Sequence, residues 1–302
     1  MAAVTPRCSV AAADRADPLR GTAPPARRWL LLEHPGPWRV DALAGSGLDP
    51  QVLQALGTAA AATATRILLI RRPGRSTAAP RRRWLLTGPG TPTTSGSWAD
   101  DHELSAAVEA LRRPPSAPSA AAEPAEPVLL VCAHGVHDAC CAIRGRPVAA
   151  ALDARWPGQV WECSHVGGDR FAPNVVVLPD GYYYGGLDAE EAVETVAAHL
   201  AGQVRTPFLR GMARFPPPQQ AAVVAVHERY GPLGPDAVTV LGVRHEGSYG
   251  EPGSRTLLEL QVAGVADRVL AEVVAVRRPP AQLTCRAARE TPATEYRVER
   301  LG

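Results

Sequence analysis

Between residues 128 and 200, short apolar runs alternate with stretches of helical periodicity, and this alternation restricts the fold more than any other feature. Residues 128–131 (Val-Leu-Leu-Val) are continuously apolar, as a strand buried on both faces must be. Residues 141–152 have helical spacing, which ends by Pro157-Gly158. Residues 159–163 and 174–178 read as two further strands. Pro179-Asp180-Gly181 is a turn signal, after which residues 182–184 (Tyr-Tyr-Tyr) are expected to pair back as a hairpin. Residues 188–200 predict an amphipathic helix: Asp188 caps it, and Ala189, Ala192, Val193, Val196 and Leu200 share a face.

The resulting order is βαβ, then a hairpin, then α. It is the element order of a thioredoxin-like domain, in which helices pack on a small mixed α/β sheet. Upstream, residues 28–33, 67–70 and 84–86 read as short strands. Asp49-Pro50 opens a helix, with Asp49 as N-cap and Pro50 in the first helical position. Residues 100–111 predict a second helix through Leu104, Val108 and Leu111. This first part, residues 1–112, leaves two readings open: a degenerate copy of the same fold, or an α/β domain of its own. Residues 113–127 are a Pro/Ala linker whose prolines favour an extended spacer. The thioredoxin-like domain then spans 128–204. Residues 205–302 read as a small α+β module, with a helix at 221–229 and strands at 238–243, 257–262 and 269–276.

Charge argues against one class of partner. Lys plus Arg is 32, all of them Arg, against 30 Asp plus Glu, a net charge of +2. Such a chain has no bulk attraction for nucleic acid. The first 28 residues carry scattered charges and no apolar core of an export signal. No run approaches the ~20 apolar residues of a membrane span. The expectation is a cytoplasmic protein with no nucleic-acid or membrane partner. Six cysteines in 302 residues are too few for a disulfide scaffold. Four of them, Cys132, Cys140, Cys141 and Cys163, are clustered, which in such a setting points to metal or redox chemistry.

Two segments carry that chemistry. In the first, Cys132-Ala-His134-Gly-Val-His137-Asp138-Ala-Cys140-Cys141, Cys132 ends a strand and Cys141 starts a helix. A helix N-terminus favours the thiolate, so Cys141 is a good ligand. In the second, Cys163-Ser-His165-Val-Gly-Gly-Asp169-Arg-Phe-Ala, the loop follows the next strand and is expected beside the first pair. Gly167-Gly168 permits unusual backbone angles and close approach of a bulky cofactor.

Taken together, these strings resemble the sucrase/ferredoxin-like family. The resemblance rests on Cys-x-His-Gly-x-x-Asp-x-x-Cys at 132–141 and Ser-His-Val-Gly-Gly-x-Arg-Phe-Ala at 164–172. It is strengthened by Cys8-Ser9, Asp17-Pro18-Leu19-x-Gly-Thr-Ala, Glu33-x-Pro-Gly-Pro-Trp38 and residues 216–222. It implies a thioredoxin-like 2Fe–2S ferredoxin whose cluster is held by two Cys and two His. By position Cys132 and Cys141 match the cysteine ligands, and His165 matches the first histidine. The second histidine position is Asp169, a departure that leaves the fourth ligand open. Asp169 is the better positional match, Cys163 the better ligand chemically, since iron–sulfur clusters favour thiolate and imidazole; an open or water-bound fourth position is the third alternative. Zinc is the rival metal, since three Cys and one His within reach satisfy tetrahedral coordination.

Other residues have quieter readings. His134 is expected to shape its loop by backbone hydrogen bonds, Asp138 to cap the helix at 141, and Cys140 to pack as a spare thiol. Cys8 and Cys285 have no partner that sequence assigns. No Gly-x-Gly-x-x-Gly follows a strand and opens a helix, so a resident nicotinamide or flavin is not expected. The reading is an electron carrier served by separate redox partner proteins rather than a stand-alone enzyme. Sugar hydrolysis is not expected, because no carboxylate pair can be singled out. The alternatives are a thiol-based redox protein or sensor on the same fold, and a zinc-stabilised interaction module.

Overall fold

The computed structural model describes residues 7–74, 79–114 and 126–302. Most of the expected linker, residues 115–125, lies outside these. Along the chain come α1 (Cys8–Asp14), β1 (Arg28–Glu33), α2 (Pro50–Ala62), β2 (Thr65–Arg71), β3 (Arg82–Gly88), β4 (Thr91–Trp98) and α3 (Ser105–Arg112). There follow β5 (Val128–Cys132), α4 (Ala139–Arg155), β6 (Val160–Cys163), β7 (Asn174–Leu178), β8 (Tyr182–Gly185) and α5 (Ala189–Leu200). The chain ends with β9 (Leu209–Met212), α6 (Pro217–Tyr230), β10 (Val238–Glu246), β11 (Arg255–Val262), β12 (Val269–Arg277) and β13 (Thr294–Leu301). The α/β character expected from the apolar pattern is therefore present, with parallel and antiparallel pairing mixed in the sheet that carries β1–β7.

The chain forms two compact units. One comprises residues 26–166 and 173–181. Its strands run in the order β4-β3-β1-β2-β6-β5-β7. The arrangement within it repeats. β1, α2 and β2 form a parallel crossover with β3 antiparallel on the far side of β1. β5, α4 and β6 form a second one with β7 antiparallel on the far side of β5. The two meet where β2 runs antiparallel to β6, pairing Ile70 with Cys163 and Arg71 with Glu162. Arg71 and Glu162 also form an ion pair at 2.7 Å with little solvent exposure.

Local chemistry explains the elements. Asp49 accepts from the amides of Gln51 and Val52, and Pro50 follows it, so α2 starts where the sequence predicts. Leu30, Leu32 and Leu69 meet Leu56, Val108 and Leu111 in a shared core under α2 and α3. All five residues of β5 are buried, as its unbroken apolar run requires.

The other unit comprises residues 1–25, 167–172 and 182–302, described from residue 7 onward. β8 and β9 pair antiparallel. A four-stranded antiparallel sheet follows in the order β10-β11-β12-β13. Thr256, Leu258, Leu260 and Val262 are buried in alternation along β11, and α6 packs on this sheet. Asp188 and Glu191 form a reciprocal capping box at the start of α5. Asp17 gathers Arg15 at 3.0 Å, Arg170 at 3.4 Å and Arg278 at 3.6 Å, tying the N-terminal segment to the stretch after β12.

Candidate metal centre

The centre is built at the ends of β5 and β6. Because β5 and β6 are parallel and in register, Cys132 is opposite Cys163. The loop 133–138 then turns onto α4. The Ala133 amide donates to the Cys163 carbonyl, and the amides of His137 and Asp138 both donate to the His134 carbonyl. Asp138 caps α4 by accepting from the Cys140 amide at 2.9 Å, which sets Cys141 in the first turn. Two glycines allow the close approach. A Cβ on Gly135 would meet Ala142 Cβ at 2.8 Å, and a Cβ on Gly145 would meet the Cys132 carbonyl oxygen at 2.2 Å. Alanine at 145 would therefore push α4 off β5.

His165 is placed by the end of β6. Ser164 donates its amide to the Leu69 carbonyl and accepts the Leu69 amide on Oγ at 3.0 Å, locking the strand end to β2. The His165 amide donates to His134 Nδ1 at 3.3 Å. That leaves the proton of His134 on Nε2, which donates to the Arg39 carbonyl at 2.7 Å. The ring of His165 stacks on His137 at 3.8 Å between centroids, and His137 in turn faces His134 at 5.5 Å. His134 meets the edge of Trp38 at 5.7 Å.

Cys132 Sγ, Cys141 Sγ and a ring nitrogen of His165 all lie within 4.8 Å of one another. Cys132 and Cys141 are fully buried, whereas His165 is partly exposed. The hydrogen bond with Cys141 holds the Cys132 thiol well below its usual range; burial opposes this and His165 adds to it. A shift in this direction makes Cys132 the readier of the site's thiols to give up its proton, as metal binding requires of sulfur. Cys163 goes the other way. Burial pushes its thiol well up, and the charge at Cys132 pushes it further. Burial also lowers the pKa of His134, which keeps its ring neutral in its hydrogen-bonded role.

Of the five residues singled out from sequence, Cys132, Cys141 and His165 come together within one unit. Cys163 is the neighbour of Cys132 across the strands but is not within that 4.8 Å group. β6 ends at Cys163, so strand alternation does not carry on to His165. Asp169 belongs to the other unit, where it is buried and opens a single 3-10 turn after Gly167 and Gly168, both at positive φ (90° and 78°). Sequence reasoning anticipated the backbone role of His134 and the cap at Asp138. It missed the stacking of His137 on His165, the anchor at Ser164 and the packing of Gly145. Only Gly145, a glycine inside a helical pattern, carried a signal.

The sequence profile of the sucrase/ferredoxin-like family matches residues 19–211. No curated protein and no solved structure matches the chain.

Proposed function

The chain belongs to the sucrase/ferredoxin-like family, and from that premise we propose that its thiolate–imidazole centre holds a 2Fe–2S cluster for one-electron transfer. The observation that carries the reading is the convergence of Cys132, Cys141 and His165 in a buried site that favours the Cys132 thiolate. The donors suit the group, since iron–sulfur clusters take thiolate and, in some proteins, imidazole. A bound cluster would supply a single electron's uptake and release. This chain's own residues do the rest. Cys132 and Cys141 bring negative charge, and His165 brings a neutral ring that raises the potential relative to a third thiolate. His134 fixes the His165 backbone, and burial keeps water from the sulfurs. For the fourth donor, Cys163 and Asp169 are the two candidates, and Cys163→Ala against Asp169→Ala separates them.

Such a carrier works with separate redox partner proteins and is not itself a hydrolase. The repeated arrangement around β1 and β5 supports reading the two halves as a thioredoxin-like ferredoxin domain and a degenerate relative of it. Among the described residues no helix is long and apolar enough to cross a membrane, which agrees with a cytoplasmic carrier.

Zinc is the second reading, and one observation favours it. Three donor atoms within 4.8 Å of one another suit a single ion with a fourth position open. A thiol-based redox role has the lowered Cys132 pKa in its favour, but full burial of both sulfurs denies a substrate access. The deciding experiment is the visible spectrum of protein purified without oxygen, with iron, acid-labile sulfide and zinc counted on the same sample. Near two iron and two sulfide per chain supports the cluster. One zinc in a colourless protein supports the second reading. A folded protein with no metal that cannot be reconstituted overturns both.

A further inference from the structure

Cys8 and Cys285 lie 277 positions apart in sequence, and both fall outside the family match at 19–211. Nothing in the metal centre uses them. Both are in the unit that holds the two ends of the chain. There the Cys285 Sγ stands 3.4 Å from the Cys8 Sγ and 3.5 Å from the Cys8 amide nitrogen. Cys8 is fully buried, whereas Cys285 is partly exposed.

From this geometry we propose that Cys8 and Cys285 form a peroxide-driven disulfide that cross-links the two ends of the chain. The contact is held by structure on both sides. Cys285 sits in a loop closed at its base by the bridge of Ala281 with Thr291. Within that loop the Ala287 amide donates to the Thr284 carbonyl, and the Arg286 amide donates to Thr284 Oγ1 at 3.2 Å. The N-terminal segment is held to the same stretch, since Arg278 donates to the Arg15 carbonyl at 3.4 Å and pairs with Asp17. The two sulfurs are therefore kept together by contacts that do not depend on the bond. Closing from 3.4 Å to the ~2.05 Å of a disulfide is a matter of side-chain rotation.

The exposures assign the roles. Cys285 meets the oxidant: its sulfur attacks hydrogen peroxide, the O–O bond breaks, and sulfenic acid and one water form. Cys8 resolves it: its sulfur attacks the Cys285 sulfur, the S–O bond breaks, and the hydroxide leaves with the Cys8 proton as a second water. Two thiols lose two electrons and two protons, and one peroxide becomes two waters. A thiol this close reacts as an intramolecular partner, so the sulfenic acid is short-lived.

The test is peptide mapping of the full chain, first reduced, then exposed to a few equivalents of hydrogen peroxide, alkylated and digested without reductant. Mapping locates the link whatever the metal centre contains. The expected product is a peptide pair joining Cys8 to Cys285, with alkylation lost at those two of the six cysteines and restored by dithiothreitol. In Cys8→Ser the cross-link is absent and dimedone labels Cys285. The proposal is overturned if both residues stay fully alkylated after oxidation. It is also overturned if Cys8 is found linked to another cysteine, or if Cys285 proceeds to sulfinic acid while Cys8 remains a thiol.

Discussion

Gly145→Ala separates two opposed effects at the contact that brings Cys132 and Cys141 together. In a helix interior, alanine is about 1 kcal/mol better than glycine. Against this, the new Cβ would lie 2.2 Å from the Cys132 carbonyl oxygen, where ordinary contact begins at 3.4 Å. The obstacle is backbone, in a strand paired on both sides, so it cannot swing away as a side chain does. α4 must retreat by about 1 Å, and overpacking of this kind typically costs ~1–3 kcal/mol. The clash wins: Gly145→Ala should be roughly 1–2 kcal/mol less stable in urea unfolding of the metal-free chain. Retreat of α4 also draws Cys141 from Cys132, and metal sites tolerate only about 0.2 Å. Metal content per chain should therefore fall with stability. A variant stabilised by the propensity gain, with full metal content, would refute the packing argument.

Cys132→Ser removes the thiolate to which Cys141 and His165 are directed, and metal content should drop at least ~10-fold in a chain that keeps its circular-dichroism spectrum. Asp138→Ala removes the cap of α4 and should cost about 1 kcal/mol, read as a lower urea midpoint. His227 is buried, with neither ring nitrogen hydrogen-bonded, and burial, Arg214 and His199 lower its pKa from 6.5 to about 4. The unfolded chain then takes up a proton near pH 6.5 that the folded chain refuses until about pH 4, so stability falls as pH falls through that window. At about 1.4 kcal/mol per pH unit the loss approaches ~3 kcal/mol, and His227→Leu should flatten that part of the stability-against-pH curve.

What could be read in the sequence follows from how locally each element is determined. β5, β6 and β7 announce themselves because they are buried along their whole length, and all their residues but Glu162 and Asn174 are apolar. β4 (Thr-Pro-Thr-Thr-Ser-Gly-Ser-Trp) is an edge strand, mostly exposed, and its residues carry no apolar period. β13 is likewise an edge strand, and its alternation is short: after Tyr296 and Val298 the next position on that face is Arg300. The pairing of β2 with β6 rests on two residue pairs separated by more than ninety positions, and no local signal encodes it.

The metal centre divides in the same way. Cys132 and Cys141 were legible because a strand end and a capped helix start each show in sequence. His165 was legible by its place in a motif. The support around it was not: Ser164 reaches β2, His134 reaches Arg39, and His137 reaches Val40, all through contacts between distant parts of the chain. Nor was the meeting of Cys8 with Cys285, since it depends on how the two ends of the chain pack.

The central claim is that Cys132, Cys141 and His165 together hold a metal. X-ray absorption at the metal edge, on wild type beside His165→Ala, tests it most directly. A mixed first shell is predicted, with sulfur near 2.3 Å and nitrogen near 2.0–2.1 Å if the metal is zinc, and with the nitrogen contribution reduced in His165→Ala. A shell of sulfur alone in the wild type, or one that His165→Ala leaves unchanged, would contradict it.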